Sequence, residues 1–292
     1  MSGVCILDGP VGTELARRGV ATPPPLWSAG AIDAAPDVLA AIHRAYVDAG
    51  ADVHTAATFR TRRRAAGDAW ERLTRSAVRI AREQLPSDTV LAGSIAPLED
   101  CYRPDLSPRS PGSEHAELAA CLVDAGCDLL LCETFPHVGE GLAATRAASG
   151  RGVPVWTAFT AGFRGDLLTP KQVGEAARAA VDLGASAVLV NCVPAGQTLA
   201  FVCALVTAVG TQVPVGAYAN AGPQSGGLGW GRGAEGATRY CELAEQWVDA
   251  GASLIGGCCG TEPATIAALR ARWPRALHTS THVRALGDKN HP

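Results

Sequence analysis

The chain has 292 residues, 47% of them apolar, with a formal net charge of −3 and a pI near 6.2. That length suits one large α/β barrel or two ordinary domains, and the apolar share is enough for a sizeable core. The charge balance points away from nucleic acid or an anionic membrane as the main partner.

The N-terminal stretch MSGVCILDGPVGTEL has no basic region and no long apolar run, because Asp8 interrupts the only short one. This argues against a secretory signal. No window approaches the roughly 18 uninterrupted apolar residues of a membrane span, so a cytoplasmic protein is expected. In that reducing setting the ten cysteines are read as buried small residues, metal ligands or catalytic thiols, not disulfides.

One pattern recurs along the chain: VDAGADVHTAATF from Val47, VDAGCDLLLCETF from Val123, VDLGASAVLVNCV from Val181 and VDAGASLIGGCCG from Val248. In each, Val-Asp closes a helix, a glycine (Gly50, Gly126, Gly184 or Gly251) takes the left-handed cap, and a buried strand follows. Four further strands are predicted at Cys5–Asp8, Val90–Ile95, Val153–Phe159 and Val213–Tyr218. Helices are predicted over about 33–49, 68–84, 114–125, 138–148, 170–183, 196–209, 235–250 and 263–272. The strands are short apolar runs without alternation, as in a parallel sheet covered on both faces.

Eight such units predict an α/β fold of the (β/α)8 TIM barrel type, a single domain over 1–275 with a polar tail over 276–292. A doubly wound open sheet is the alternative, weakened because no GxGxxG opens a helix after the first strand. Two irregular stretches, TPPPLWSAG (22–30) and DCYRPDLSPRSPGSEH (100–115), follow the first and third strands. That is the side on which a barrel keeps its active-site loops.

On this reading the strand C-termini carry Asp8, Thr58, Ser94, Glu133, Thr160, Cys192, Asn220 and the Cys258–Cys259 doublet. Strands six and eight thus deliver three thiols to one rim, and the glycines around the doublet free the backbone from regular pleating. Three thiolates with no obvious fourth protein ligand suit Zn²⁺ in a catalytic arrangement, since structural zinc sites are closed by four. The open position would take a substrate sulfur as thiolate, and methyl transfer to sulfur is the reaction such a site would serve.

The other cysteines read as packing: Cys121, Cys127, Cys203 and Cys241 in core or helix contacts, and Cys5, Cys101 and Cys132 likewise. Asp8 and Glu133 keep two readings open, a seat for a ligand ammonium group or a turn and a local ion pair. His54 and His137 read as structural. Arg72, Arg75, Arg79 and Arg82 recur at helical spacing and form a solvated face. A catalytically idle zinc barrel would need a fourth protein ligand, and no strand carries a lysine for Schiff-base chemistry.

With these motifs in hand, the sequence resembles the homocysteine S-methyltransferase family, which includes betaine- and S-methylmethionine-dependent enzymes and the N-terminal part of cobalamin-dependent methionine synthase. The landmarks stand in family order: DGPVGTEL, GADVHTAATF, GSIAP, DLLLCETFP, VLVNC, ANAG and GGCCGT. The resemblance implies a (β/α)8 barrel with zinc on Cys192, Cys258 and Cys259. It implies that Asp8 and Glu133 contact the amino group of homocysteine, and that backbone amides around Gly9 and near Thr58 receive its carboxylate. Asn191 and Asn220 would shape the pocket. The implied reaction moves a methyl group from a small donor, S-methylmethionine or S-adenosylmethionine, to homocysteine, giving methionine. Two positions depart from many relatives: Pro10–Val11 replaces Gly-Met or Ala-Met, and Ala56 stands where a threonine is common.

Overall fold

A computed structural model describes residues 3–221 and 233–275. Eight parallel strands form its centre: β1 (Cys5–Ile6), β2 (Val53–Thr55), β3 (Val90–Ile95), β4 (Leu129–Phe135), β5 (Val155–Phe159), β6 (Ala187–Pro194), β7 (Val215–Asn220) and β8 (Leu254–Gly257). Their neighbour order is β1-β8-β7-β6-β5-β4-β3-β2, and the two ends meet. Leu7 bridges Val53, the Asp8 N–H donates to the Val53 carbonyl at 2.9 Å, and the Asp52 N–H donates to the Ile6 carbonyl at 2.7 Å. The sheet therefore closes on itself, which selects the (β/α)8 barrel over the open sheet.

The eight main helices, Pro36–Asp48, Trp70–Arg82, Gly112–Asp124, Val138–Ala148, Pro170–Asp182, Thr198–Val209, Ala234–Asp249 and Pro263–Arg272, fall where the sequence places them. Gly50, Gly126, Gly184 and Gly251 have φ of 89°, 97°, 101° and 113°, so the recurrent cap is real. Alternation within each strand sorts the core. Leu129, Leu131 and Leu189 turn inward beside Leu7, Trp156 and Tyr218, whereas Leu130, Cys132, Val188 and Val190 join the layer shared with the helices. Each such side chain contributes roughly 1.5–3 kcal/mol on burial.

The arginine face is solvated as expected. Arg72 pairs with Asp33, Arg75 with Glu71, Arg79 with Glu83 and Arg82 with Asp128, all exposed and each worth little. Cys5, Cys121, Cys127, Cys132 and Cys241 are buried, but Cys203 is exposed. It lies on the outward side of Thr198–Val209, whose Phe201, Val202 and Leu205 face the core. A short helix, Val11–Arg17, was not among the expected elements, since seven residues are too few to show an apolar period. No helix among the described residues is long and apolar enough to cross a membrane. The tail expected over 276–292 lies outside the described residues.

Candidate active site

The C-terminal ends of the strands surround a cavity of about 180 Å³. Its wall includes Asp8, Gly9, Glu133, Cys192, Cys258 and Cys259, together with Trp27, Ser28 and Tyr102 from the two irregular stretches. The cavity thus gathers residues from β1, β4, β6 and β8 that lie far apart in the chain.

The three sulfurs all lie within 4.8 Å of one another, and Cys192 Sγ is 3.6 Å from Cys259 Sγ. Tetrahedral zinc with bonds of about 2.3 Å sets its sulfur ligands about 3.8 Å apart, so the cluster fits that ion in spacing and in softness. Cys192 is buried, Cys258 half-buried and Cys259 exposed, which leaves the cavity side accessible. Without a cation the three thiols cannot all ionise. Hydrogen bonds from Cys192 and Cys258 pull Cys259 well below the usual thiol range. Donation toward Cys192 and Cys259, with burial, holds Cys258 well above it.

The glycines beside the doublet have a steric reason. A Cβ on Gly256 would meet Leu7 Cβ at 2.7 Å, so β8 could not approach the end of β1 with a larger residue there, and one on Gly257 would collide with Thr261 in the turn after the doublet. Beyond the doublet the backbone is pinned. Cys258 N–H donates to the Ala219 carbonyl at 2.9 Å. Arg17 Nη1 and Nη2 donate to the Thr261 and Gly260 carbonyls, each at 2.8 Å. Cys192 itself has φ of 52°, a left-handed conformation rare outside glycine and asparagine. It falls where the β6–β7 register shifts between Asn191 and Pro194, and this bulge lifts the thiol out of the regular pleat.

Two buried carboxyls face the same space. Asp8 Oδ2 accepts from the Thr55 N–H at 2.8 Å and Oδ1 from Thr55 Oγ1 at 3.1 Å. Burial raises its pKa to about 8 against the pull of those bonds, with the Glu133 charge adding to the rise. Glu133 accepts from Ser94 Oγ at 2.5 Å and from the Tyr218 hydroxyl at 3.0 Å, and burial raises its pKa too. Neither carboxyl has a cationic side chain among these partners, so both are suited to a cation brought by a ligand.

Gly9 lines the cavity, with the Tyr46 ring packed where its Cβ would stand. Pro10, Val11 and Ala56 also line it. Thr58 does not: its hydroxyl donates to the Ser94 carbonyl and accepts from the Ser94 N–H, both at 3.0 Å, tying the chain after β2 to β3. Asn220 stands behind β6, with Nδ2 3.4 Å from the Cys192 carbonyl. His54 is buried in β2, and His137 caps the helix Val138–Ala148 by accepting from the Glu140 N–H.

Tyr102, Tyr218, Trp27 and Phe59, which were not among the expected site residues, also line the cavity. Cys101 is buried, as expected of a packing residue, and its side of the wall borders the same space. Trp27 and Phe59 stack at 6.2 Å, with the Arg60 guanidinium 4.0 Å over the indole. The signal was available for Tyr102 and Trp27, both in the irregular stretches, and for Tyr218, the last residue of a predicted strand.

A closed barrel with a three-thiol cluster at its catalytic rim defines a (β/α)8 enzyme. The family profile described as Homocysteine S-methyltransferase matches residues 5–273. The chain is 33% identical to the homocysteine S-methyltransferase of Escherichia coli (strain K12), covering 92% of this chain and 95% of that one. It is 27% identical to the selenocysteine methyltransferase of Astragalus bisulcatus, over 89% and 90% of the two chains. Among solved structures, the metallated form of the homocysteine methyltransferase MmuM from Escherichia coli superposes with a TM-score of 0.75 at 27% identity, covering 93% and 96%. The chain belongs to the homocysteine S-methyltransferase family and is a methyltransferase.

Proposed function

We propose that this protein is a zinc-dependent S-methyltransferase that moves a methyl group from a sulfonium donor to homocysteine, forming methionine. The observation that carries this is the meeting of three sulfurs within 4.8 Å on one cavity wall with Asp8 and Glu133. Cys192, Cys258 and Cys259 would hold the zinc. The ion's Lewis acidity would keep an acceptor thiol ionised near neutral pH.

The remaining work falls to the chain. Asp8 and Glu133 receive the acceptor's ammonium group, which draws both carboxyls into the ionised form. Ser94 and Tyr218 hold Glu133 in position. Gly9 keeps the turn after β1 slim enough for the acceptor's carboxylate to reach backbone amides; the segment near Thr58 would offer further ones, and Asn220 steadies the Cys192 backbone. The methyl group passes in line: its bond to the donor sulfur breaks as a bond to the acceptor sulfur forms, and the donor leaves as a neutral thioether. Tyr102 on the wall suits a sulfonium, whose charge is attracted to aromatic rings. S-methylmethionine and S-adenosylmethionine are the donors of that chemistry.

The relative named for selenocysteine, together with Pro10, Val11 and Ala56 on the cavity wall, makes a selenol the second acceptor to test. The deciding experiment offers each donor with homocysteine or selenocysteine and follows products by mass spectrometry. Methionine from homocysteine is expected. Methylation of selenocysteine alone would replace the acceptor, and no methylated product from any pair would overturn the reading.

A further inference from the structure

The loop after β3 brings a fourth polar atom to the sulfur cluster. Tyr102 Oη lies 3.3 Å from Cys192 Sγ, and its ring forms part of the cavity wall. The loop that carries it is fastened on two sides. On one, Arg62 Nε donates to the Leu98 carbonyl at 2.9 Å, and Arg60 Nη1 donates to the Glu99 carbonyl at 2.9 Å. Both arginines are buried. On the other, buried Glu140 accepts from the Leu98 N–H at 2.7 Å and from Ser107 Oγ at 2.6 Å. Next to the tyrosine, Asp100 Oδ1 accepts from the Tyr102 N–H at 2.8 Å.

Burying two guanidinium groups and a carboxylate beneath a surface loop is costly unless each makes strong hydrogen bonds. Here five of those bonds go to the loop itself, on both flanks of Tyr102, while Arg62 also donates to the Phe59 carbonyl and Glu140 also faces His115 at 3.3 Å. Such fastening fixes where the phenol points. Once Cys192 is a thiolate it has no proton to give, so the phenol is the donor. A donor on a metal-bound sulfur fixes the direction of its lone pairs and draws off part of the charge that three thiolates concentrate on one ion.

We propose that Tyr102 is a positioning residue of the metal centre: its hydroxyl donates to Cys192 Sγ and, through that sulfur, sets the strength and electronic character of metal binding. This rests on the reading that Cys192, Cys258 and Cys259 hold zinc.

Tyr102→Phe removes one oxygen and keeps the ring, so packing is preserved. Two readouts apply to wild type and variant, both checked for equal helical content by circular dichroism. The first is zinc affinity by competition with a chelator. The second is the thiolate-to-metal charge-transfer band of the cobalt(II)-substituted protein. The variant is expected to bind zinc about tenfold more weakly, within the range of partners one bond removed from a metal, and to show a shifted band. Equal affinity and an unshifted band in a zinc-loaded pair overturn this proposal alone. A wild type that holds no zinc overturns it together with the metal reading beneath it.

Discussion

Asn191 and Thr134 are joined by two hydrogen bonds across the intervening strand β5. Asn191 Nδ2 donates to Thr134 Oγ1 at 2.7 Å, and the Thr134 N–H donates to Asn191 Oδ1 at 3.1 Å. Thr134 has φ of 62° and Cys192, the neighbour of Asn191, has φ of 52°. Both β4 and β6 shift register at these points. The pair therefore ties one unusual backbone to another and, with them, Glu133 to Cys192. Strain of about 1–3 kcal/mol at each such residue persists only where surroundings impose it.

Asn191→Ala removes that restraint and leaves the buried Thr134 N–H without its partner. A loss of about 2–3 kcal/mol in urea denaturation is expected, with turnover falling further than stability alone explains. Unchanged turnover in folded variant protein would mean the link is not needed to hold Glu133 and Cys192 in register.

Asp8 gives a pH-dependent prediction. Its pKa is raised to about 8, chiefly by burial, so the folded chain binds a proton that the unfolded chain has already lost above about pH 4. Stability from this group is full below the unfolded value and is lost as pH rises through the folded one. Asp8→Asn keeps an acceptor for Thr55 and carries no charge. The ligand-free variant should be more stable than wild type at pH 9 by about 1–3 kcal/mol and nearly equal at pH 4, while acceptor binding collapses. Urea denaturation at the two pH values checks the sign.

Gly9 is a steric test of the turn after β1. A Cβ there would stand 2.7 Å from the Tyr46 hydroxyl, and Tyr46 is fully buried. Gly9→Ala must push the turn toward the cavity or the ring toward the core. Expected are a loss of about 1–3 kcal/mol and a raised KM for the acceptor with a smaller change in kcat. Steady-state kinetics on both substrates separates this from general unfolding.

Arg17 tests the doublet's backbone. Its two carbonyl bonds link Val11–Arg17 to the turn at Gly260, and its contact with Glu14 at 2.7 Å steadies the guanidinium from within the same helix. Arg17→Ala should loosen Cys259 and weaken zinc retention about tenfold, read by chelator competition. Retention equal to wild type would show that the remaining bonds, Gly260 N–H to Thr13 Oγ1 at 3.2 Å and Cys258 N–H to the Ala219 carbonyl, hold the doublet's turn without Arg17.

Much of this was legible in the sequence because each signal was local. The Val-Asp…Gly repeat marks helix ends, and apolar runs after it mark strands, so eight units could be placed and their C-terminal ends named. Cys192, Cys258, Cys259, Asp8 and Glu133 followed from that placement. What the sequence hid depends on distance in space. Nothing near Tyr102 says that its hydroxyl will reach a cysteine ninety residues away. Nor does Asn191 announce that its side chain restrains β4. Cys203 misled for the converse reason: its neighbours in sequence are core residues, but a helix turns successive side chains to different faces.

On the proposed mechanism, Cys192, Cys258 and Cys259 together hold one zinc ion that methyl transfer requires. The most direct measurement is metal content by mass spectrometry on catalytically active, purified protein, with Cys258→Ser beside it. One zinc per wild-type chain, and loss of both zinc and methyl transfer in Cys258→Ser, is the predicted result. Full activity in wild-type protein free of zinc would contradict it.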